Sequence, residues 1–345
     1  MKRLMLTIVI VTAAATLSAQ APVAPKPQSG GDGPKPAAPA YKVGRTIDGQ
    51  PDLQGTWAND NATPLERPVA FNGRATLTDT EVATLKERSA RLFSGEGDAA
   101  FGDNLYTALL TNPGKFVSAG GGTGDYNQFW LPDRVFDNRT SLITDPSDGR
   151  VPPQTPYARD RAAFEAANRV EVARGPEDRS LTERCITFGV PRTQAAYMSY
   201  YQIVQSKDTV VFRMEAIHDA RVIYMDGRPH AGKAIRSWLG DSRGHWEGDT
   251  LVVDTTNFSP KSNFRGSHEN LHLIERFTRV SPDRLEYAFT VSDDTTWTGP
   301  WSVMIPLLRS KEQIFEYACH EGNYGLSGIL SGARADEAAA AAAKN

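Results

Sequence analysis

The chain has 345 residues, a formal net charge of -3, 23% charged residues and 40% hydrophobic ones, a balance that suits globular structure rather than a disordered chain. No basic stretch is dense enough to hold nucleic acid, and beyond the N-terminus no segment approaches the roughly 20 apolar residues a membrane span needs. The composition therefore predicts neither a nucleic-acid partner nor a membrane span.

In MKRLMLTIVIVTAAATLSAQA, Lys2 and Arg3 precede an apolar run to Leu17, followed by small residues. This is the pattern of a secretory signal peptide over residues 1–19. Cleavage after Ala19 is favoured over Ala21, because the latter would leave Pro22, with no N–H and a fixed φ, as the first mature residue. The mature protein is thus expected to be periplasmic or secreted. Residues 20–40 are a Pro/Ala/Gly linker without a large apolar side chain, and are expected to be disordered.

Residues 41–180 read as an N-terminal strand, helices and long loops. Gly55-Thr56-Trp57 resembles the G-x-W opening strand of lipocalin-like (calycin) barrels. Thr78 to Glu81 is a capping box, followed by Val82, Leu85, Ser89 and Leu92 on one helical face. Thr155-Pro156 opens a second helix, running towards Gly175. Gly120 to Gly124 lack the Lys and strand context of a phosphate loop and read as a plain loop.

From 181 to 330 the pattern changes to period two, with turns at Lys207-Asp208, Asp226-Gly227, Gly248-Asp249, Pro282-Asp283 and Ser310-Lys311. Val210, Phe212 and Met214, then Leu285, Tyr287, Phe289 and Val291, then Trp301, Val303 and Ile305 mark apolar faces. An antiparallel meander of this length is expected to close, because closure removes exposed edges. The fold class is therefore mainly β: an antiparallel lipocalin-like barrel or strongly curved sheet, with the N-terminal helix-and-loop region packed on it. Residues 331–345, rich in alanine, read as a frayed tail.

Export bears on the two cysteines. An oxidising compartment favours a disulfide between Cys185 and Cys319 over two buried thiols or a catalytic or metal-binding thiol.

HENLH (268–272) fits the H-E-x-x-H pattern of zinc peptidases, which needs both histidines one helical turn apart. The following LHLIERFTRV favours a strand, in which that spacing is about 13 Å. The match is therefore not read as a zinc motif. There is also no G-x-S-x-G elbow for serine catalysis.

Polar chemistry gathers at strand ends. His218, Asp219, Arg221, His230, His272, Glu275, Glu316 and His320 are the candidate catalytic residues, since imidazole beside carboxylate suits general acid–base work. Pairings such as His218 with His320, or His272 with Glu316, are the arrangements envisaged, and Trp238, Asp241, Arg265, Asn270 and Tyr317 are candidate ligand contacts. No cofactor is assigned; a metal held by histidines stays a lesser alternative.

The stretches RTSLITDPSDGRVPP, ERCITFGVP, HDARVIYMDGRPH, WLGDSRGHWEGDTLVVDTTNF, ENLHLIERFTRV and EYACHEGNYG together resemble a large family of uncharacterised exported bacterial proteins, over about residues 45 to 334. The resemblance carries no reaction, and it implies that His268 is incidental, preceding that family's ENLH segment. The expectation is an exported protein binding a small, partly apolar organic molecule in a barrel pocket. Acid–base catalysis on that molecule (hydrolase, isomerase or lyase type) and simple carriage both remain open, with an envelope interaction module a further alternative.

Overall fold

A computed structural model describes residues 41–93, 106, 109–110, 134–170, 172–193, 195 and 198–343. The expected signal peptide and linker, Gly120–Gly124, and the side chains of Leu92 and His218 lie outside the described residues. In chain order the main elements are β1 (Gly55–Ala58), α1 (Asp79–Phe93), β2 (Ile143–Asp145), α2 (Pro156–Ala167), β3 (Tyr200–Gln205), β4 (Thr209–Met214), β5 (Ala220–Tyr224), β6 (Asp241–Glu247), β7 (Thr250–Thr256), β8 (His272–Ser281), β9 (Arg284–Ser292), β10 (Trp301–Ser310) and α3 (Tyr324–Ala342).

Among the described residues nine strands close into a barrel in the order β1-β3-β4-β5-β6-β7-β8-β9-β10. Closure rests on β1, which pairs on one side with β3 (Thr56 opposite Gln202) and on the other with β10 (Thr56 opposite Ser310). The first half of β10's edge is covered by β2, Ile143 opposite Val303. The tight turns expected after β3, β6 and β8 are present.

Several expectations are corrected. The chain is not a pure antiparallel meander: β5 and β6 pair in parallel, Ile223 opposite Ser242. A parallel pair needs a crossover, and residues 225–240 supply it. QIFEYACHE forms no strand beyond β10, because β1 and β2 already occupy that edge. The barrel is not confined to 181–330 either. It takes β1 from the first region, while the described residues between 181 and 199 contain no strand.

The helices differ in their ends. The Thr78–Glu81 capping box is made in both directions, Thr78 N donating to Glu81 Oε2 (2.8 Å) and Glu81 N to Thr78 Oγ1 (3.3 Å). Leu85 of α1 is buried against Phe71, Leu77, Tyr106, Leu109 and Phe136, a small second core. Thr155 caps α2 as expected, but the helix stops at Ala167, where the Asn168 side chain donates to Phe164 O (2.8 Å) and closes the last turn. The alanine tail is helical to Ala342. Alanine has the highest helix propensity, and Asn323 starts α3 by accepting from Leu326 N.

Alternation along the strands turns Val210, Phe212 and Met214, Leu251 and Val253, Leu285 to Val291 and Trp301 to Ile305 inward. Together these residues form one continuous core. Stacked rings thicken it, with Phe277 and Tyr287 centroids 4.6 Å apart. Arg221 of β5 and Glu275 of β8 carry charge onto these apolar faces, their side chains 5% and 2% exposed.

Arg221 Nη1 and Glu275 Oε2 stand 2.7 Å apart, off the angles of a good hydrogen bond, so charge rather than alignment holds the pair. Tyr287 Oη donates to Glu275 Oε1 (2.7 Å), and the Phe212 ring lies 5.6 Å from the guanidinium. Burial, with the Glu275 charge, pushes the Tyr287 phenol well above its ordinary value, so it stays a donor. The space left among these groups is about 10 Å³, room for about one water.

Removing one partner of a buried pair leaves the other charge stranded. Glu275→Gln is expected to cost about 3–5 kcal/mol, whereas the double change Arg221→Met with Glu275→Leu should be near neutral. Urea unfolding of the two variants checks this; equal losses in both would show that the pair is not what holds the interior.

Candidate functional site at the barrel mouth

Strands β3, β5, β6 and β8 begin, and β4, β7 and β9 finish, at one end of the barrel. A cleft of about 260 Å³ opens there. One wall is the segment from Ser180 to Val190. The other is made by Trp238, Phe258, Phe264, Leu271 and the turn between them.

Each wall has its own support. Asp219 is buried and accepts from Thr187 Oγ1 (2.8 Å) and Phe188 N (3.0 Å). Cys185 in the same wall is joined to Cys319 across 134 residues of chain. Opposite, Phe264 and Ser267 exchange two backbone hydrogen bonds (2.8 and 3.0 Å), with Arg265 at φ 52° and Gly266 at φ 92°. A two-residue turn with both central φ positive is the tight hairpin type that favours glycine.

Ser267 donates to Asp293 Oδ2 (2.6 Å). Asp293 also accepts from Thr295 and Thr296 hydroxyls. Burial pushes its carboxyl up, but these hydrogen bonds outweigh it and hold the group below the usual range.

His268 follows this turn and lines the cleft. Its Nε2 is 3.4 Å from Asn263 Nδ2 and 3.9 Å from Glu165 Oε1 of α2, and its buried Nδ1 has no hydrogen-bond partner. His268 lies in a loop while His272 begins β8, so HENLH is not the helical turn of a zinc peptidase. His268, incidental by the resemblance, is the histidine that lines the cleft.

The other predicted residues separate into groups. Arg221 and Glu275 are inside the filled barrel, and Asp219 props the cleft wall. His218 is at the turn after β4. Glu316 and His320 are exposed in the segment beyond β10, with half-buried Tyr317 between them; Tyr317 flanks a hollow with Cys319. Arg265 is exposed, 3.6 Å from Glu66, and Asn270 reaches Thr295 Oγ1 at 3.4 Å. Of the predicted ligand contacts, Trp238 alone lines the cleft.

A second cluster forms on the outer face, where the 225–240 crossover returns over β6 to β8. His272 Nε2 is 2.9 Å from Asp254 Oδ1, and His230 Nε2 is 3.4 Å from the same oxygen. His230 Nδ1 is 3.1 Å from Asp241 Oδ2. Asp241 is further held by Ala231 N (2.8 Å) and Arg243 Nη1 (2.6 Å).

Hydrogen bonding to Asp254 raises the His272 pKa, and the same contact lowers that of Asp254. His272 thus meets Asp254, which His230 also approaches, rather than Glu316. Asp254 escaped the sequence reading, although Leu251 and Val253 facing inward put it outward beside Arg243.

Because Asp293 titrates below its unfolded value, its contribution is present above about pH 4 and is lost as pH falls through the lower folded-state value. Asp293→Asn should cost about 1–3 kcal/mol at neutral pH and flatten that acid limb in melting curves taken from pH 6 to 2; an unaltered limb would remove Asp293 from this role. Cys185→Ser with Cys319→Ser should lose up to about 4–5 kcal/mol of stability, read by denaturant midpoint against the oxidised parent.

Comparison with protein-family models, with curated proteins and with solved structures finds no match to this chain.

Proposed function

We propose that this is an exported protein that binds a small, partly apolar organic molecule in the cleft at the barrel mouth. The observation that carries the reading is the cleft's lining: Leu181, Phe188, Trp238, Phe258, Phe264 and Leu271 provide apolar surface, and Thr182, Asn263 and His268 stand among them as polar contacts. Apolar walls with a few placed polar groups are the usual make-up of small-molecule sites. The barrel body, with about 10 Å³ free near its buried ion pair, leaves the mouth as the better place for a ligand. A lipocalin-like use of the barrel would therefore be confined to its rim.

The disulfide fits an oxidising compartment, and no described helix is long and apolar enough to cross a membrane. With the signal-peptide pattern of residues 1–19, this supports periplasmic or secreted placement after cleavage near Ala19. A net charge of -3 favours no nucleic-acid partner. His268 beside Glu165 supports a second reading, acid–base catalysis on the bound molecule, because an imidazole in a cleft is placed to move a proton.

Anilinonaphthalene sulfonate, an aromatic probe with one polar group, tests the cleft by fluorescence titration. Trp238→Ala should weaken its binding at least about tenfold, roughly 1.4 kcal/mol, with the fold retained; unchanged binding would refute the site. Once a natural ligand is found, His268→Ala separates the readings. Retained binding with lost turnover marks a catalyst, and no turnover by the parent marks a carrier.

A further inference from the structure

On the outside of the barrel, where β1 closes it, four residues fall in one row. Ser310 of β10 is opposite Thr56 of β1, Thr56 is opposite Gln202 of β3, and Gln202 is opposite Arg213 of β4. Directly opposite residues share a face of the sheet. Their sequence neighbours Trp57, Tyr201 and Met214 are buried inward, so the row faces out. Beyond Ser310 the chain crosses β1 and β3 to reach the end of β4, where Phe315 N donates to Glu215 Oε1 (3.3 Å). Barrel wall and crossing segment enclose a groove of about 490 Å³.

Donors and positive charge dominate its lining. Thr56, Ser310 and Gln202 offer hydroxyls and an amide, and Arg213, Arg309 and Lys311 are cations facing the carboxylate of Glu312. Among the described residues, three cations against one carboxylate leave two positive charges over, in a chain whose net charge is -3. Elsewhere on the outer face Arg228, Arg243 and Arg276 each meet a carboxylate. None of the three groove cations makes an ion pair among the described residues. Glu215 attracts Arg213 from beyond the groove, but burial pushes its carboxyl up and its Oε1 is engaged by Phe315 N.

Arg309 is held in place by its neighbours. Its guanidinium lies 5.6 Å from the centre of the Trp57 ring. A Cβ at Gly55 would stand 3.2 Å from its Nη2, so the glycine leaves the room that the guanidinium fills. A cation fixed by packing loses less freedom when a ligand arrives.

We propose that this groove binds a phosphate monoester as its dianion, the phosphate met by Arg213, Arg309 and Lys311 and the ester group lying along Thr56 and Gln202. Guanidinium forks match phosphate oxygens in pairs, and two uncompensated positive charges suit a dianion better than a monocarboxylate. The groove shares no lining residue with the mouth cleft, so the proposal is independent of the cleft reading.

The test uses the mature full-length protein in phosphate-free buffer of low ionic strength. Glycerol 3-phosphate, inorganic phosphate and sulfate are titrated by calorimetry, and phosphatidylcholine vesicles carrying phosphatidic acid are tested by sedimentation. One glycerol 3-phosphate per chain is expected. Its binding should tighten by up to about tenfold as pH rises through the second phosphate pKa of about 6, because the dianion replaces the monoanion. Sulfate, dianionic throughout, isolates any opposing change from Glu215.

Arg213→Gln and Lys311→Gln should each weaken binding at least tenfold, and Arg213→Lys, which keeps the charge without the fork, by less. Arg276→Gln, changed at an exposed cation paired with Glu247, should bind as the parent does. Arg309→Gln also removes a contact to Trp57, so melting curves establish whether it folds, and Arg213→Gln carries the comparison if it does not. Tighter binding to the vesicles than to the soluble ester makes a lipid headgroup the source of the phosphate; binding to the soluble ester alone makes the source a free molecule. Absence of saturable binding, an equal loss in Arg276→Gln, or inorganic phosphate binding as tightly as its ester would overturn the assignment.

Discussion

Arg221 and Glu275 meet in the middle of the barrel, where an open calyx would keep its ligand. Their attraction has to offset the cost of taking both charges out of water, and the Tyr287 hydroxyl and the Phe212 ring are their near neighbours. Around them the aromatic and aliphatic faces of the strands meet with little space between. The constraint this sets is simple: a wall whose inside is occupied can offer chemistry only at its rim and on its outer surface. Both places of interest, the mouth cleft and the groove over β1, β3 and β4, obey it.

The same constraint explains why connecting segments carry so much. Residues 180–190, 225–240 and 258–271 are not strand, yet each is pinned by side chains reaching back to a strand or its end. Asp219 holds the first, Asp241 the second and Asp293 the third. Each aspartate accepts from backbone or hydroxyl groups and gives an irregular segment a fixed position. Rigid placement of loops by a packed scaffold is how binding sites are commonly built.

Much of the barrel was legible because period two is a local property. Val210, Phe212 and Met214 share a face whatever else the chain does, and the turns at Lys207-Asp208, Gly248-Asp249 and Pro282-Asp283 need only their own residues. Glu275 was read as a strand-end residue, although Leu273 and Phe277 flank it at two-residue spacing and put it inward. Pairing partners were not legible. Nothing local in ARVIY says that β5 runs parallel to β6, and the side of the barrel on which His230 falls follows from that pairing alone. The cleft was hidden for a related reason: Phe188, Trp238, Phe264 and His268 come from separate segments and share no period. The cysteine pair could be anticipated because only one intramolecular pairing of two thiols exists.

Closure by β1 has a consequence for how the molecule is made. Thr56, near the start of the chain, is hydrogen-bonded in register with Ser310, near its end, so the seam joins residues separated by most of the sequence. Contacts of such separation incur their loop-closure entropy before any reward. A growing chain can assemble the hairpins β3–β4, β6–β7 and β8–β9 as each emerges, but it cannot seal the wall until the last strand is available. Until then the wall stays open along the side of β1 that does not pair with β3, the kind of edge that recruits a stranger's strand. The β1–β10 seam is therefore the last to form, and the interval before it closes is when this chain is most exposed to aggregation.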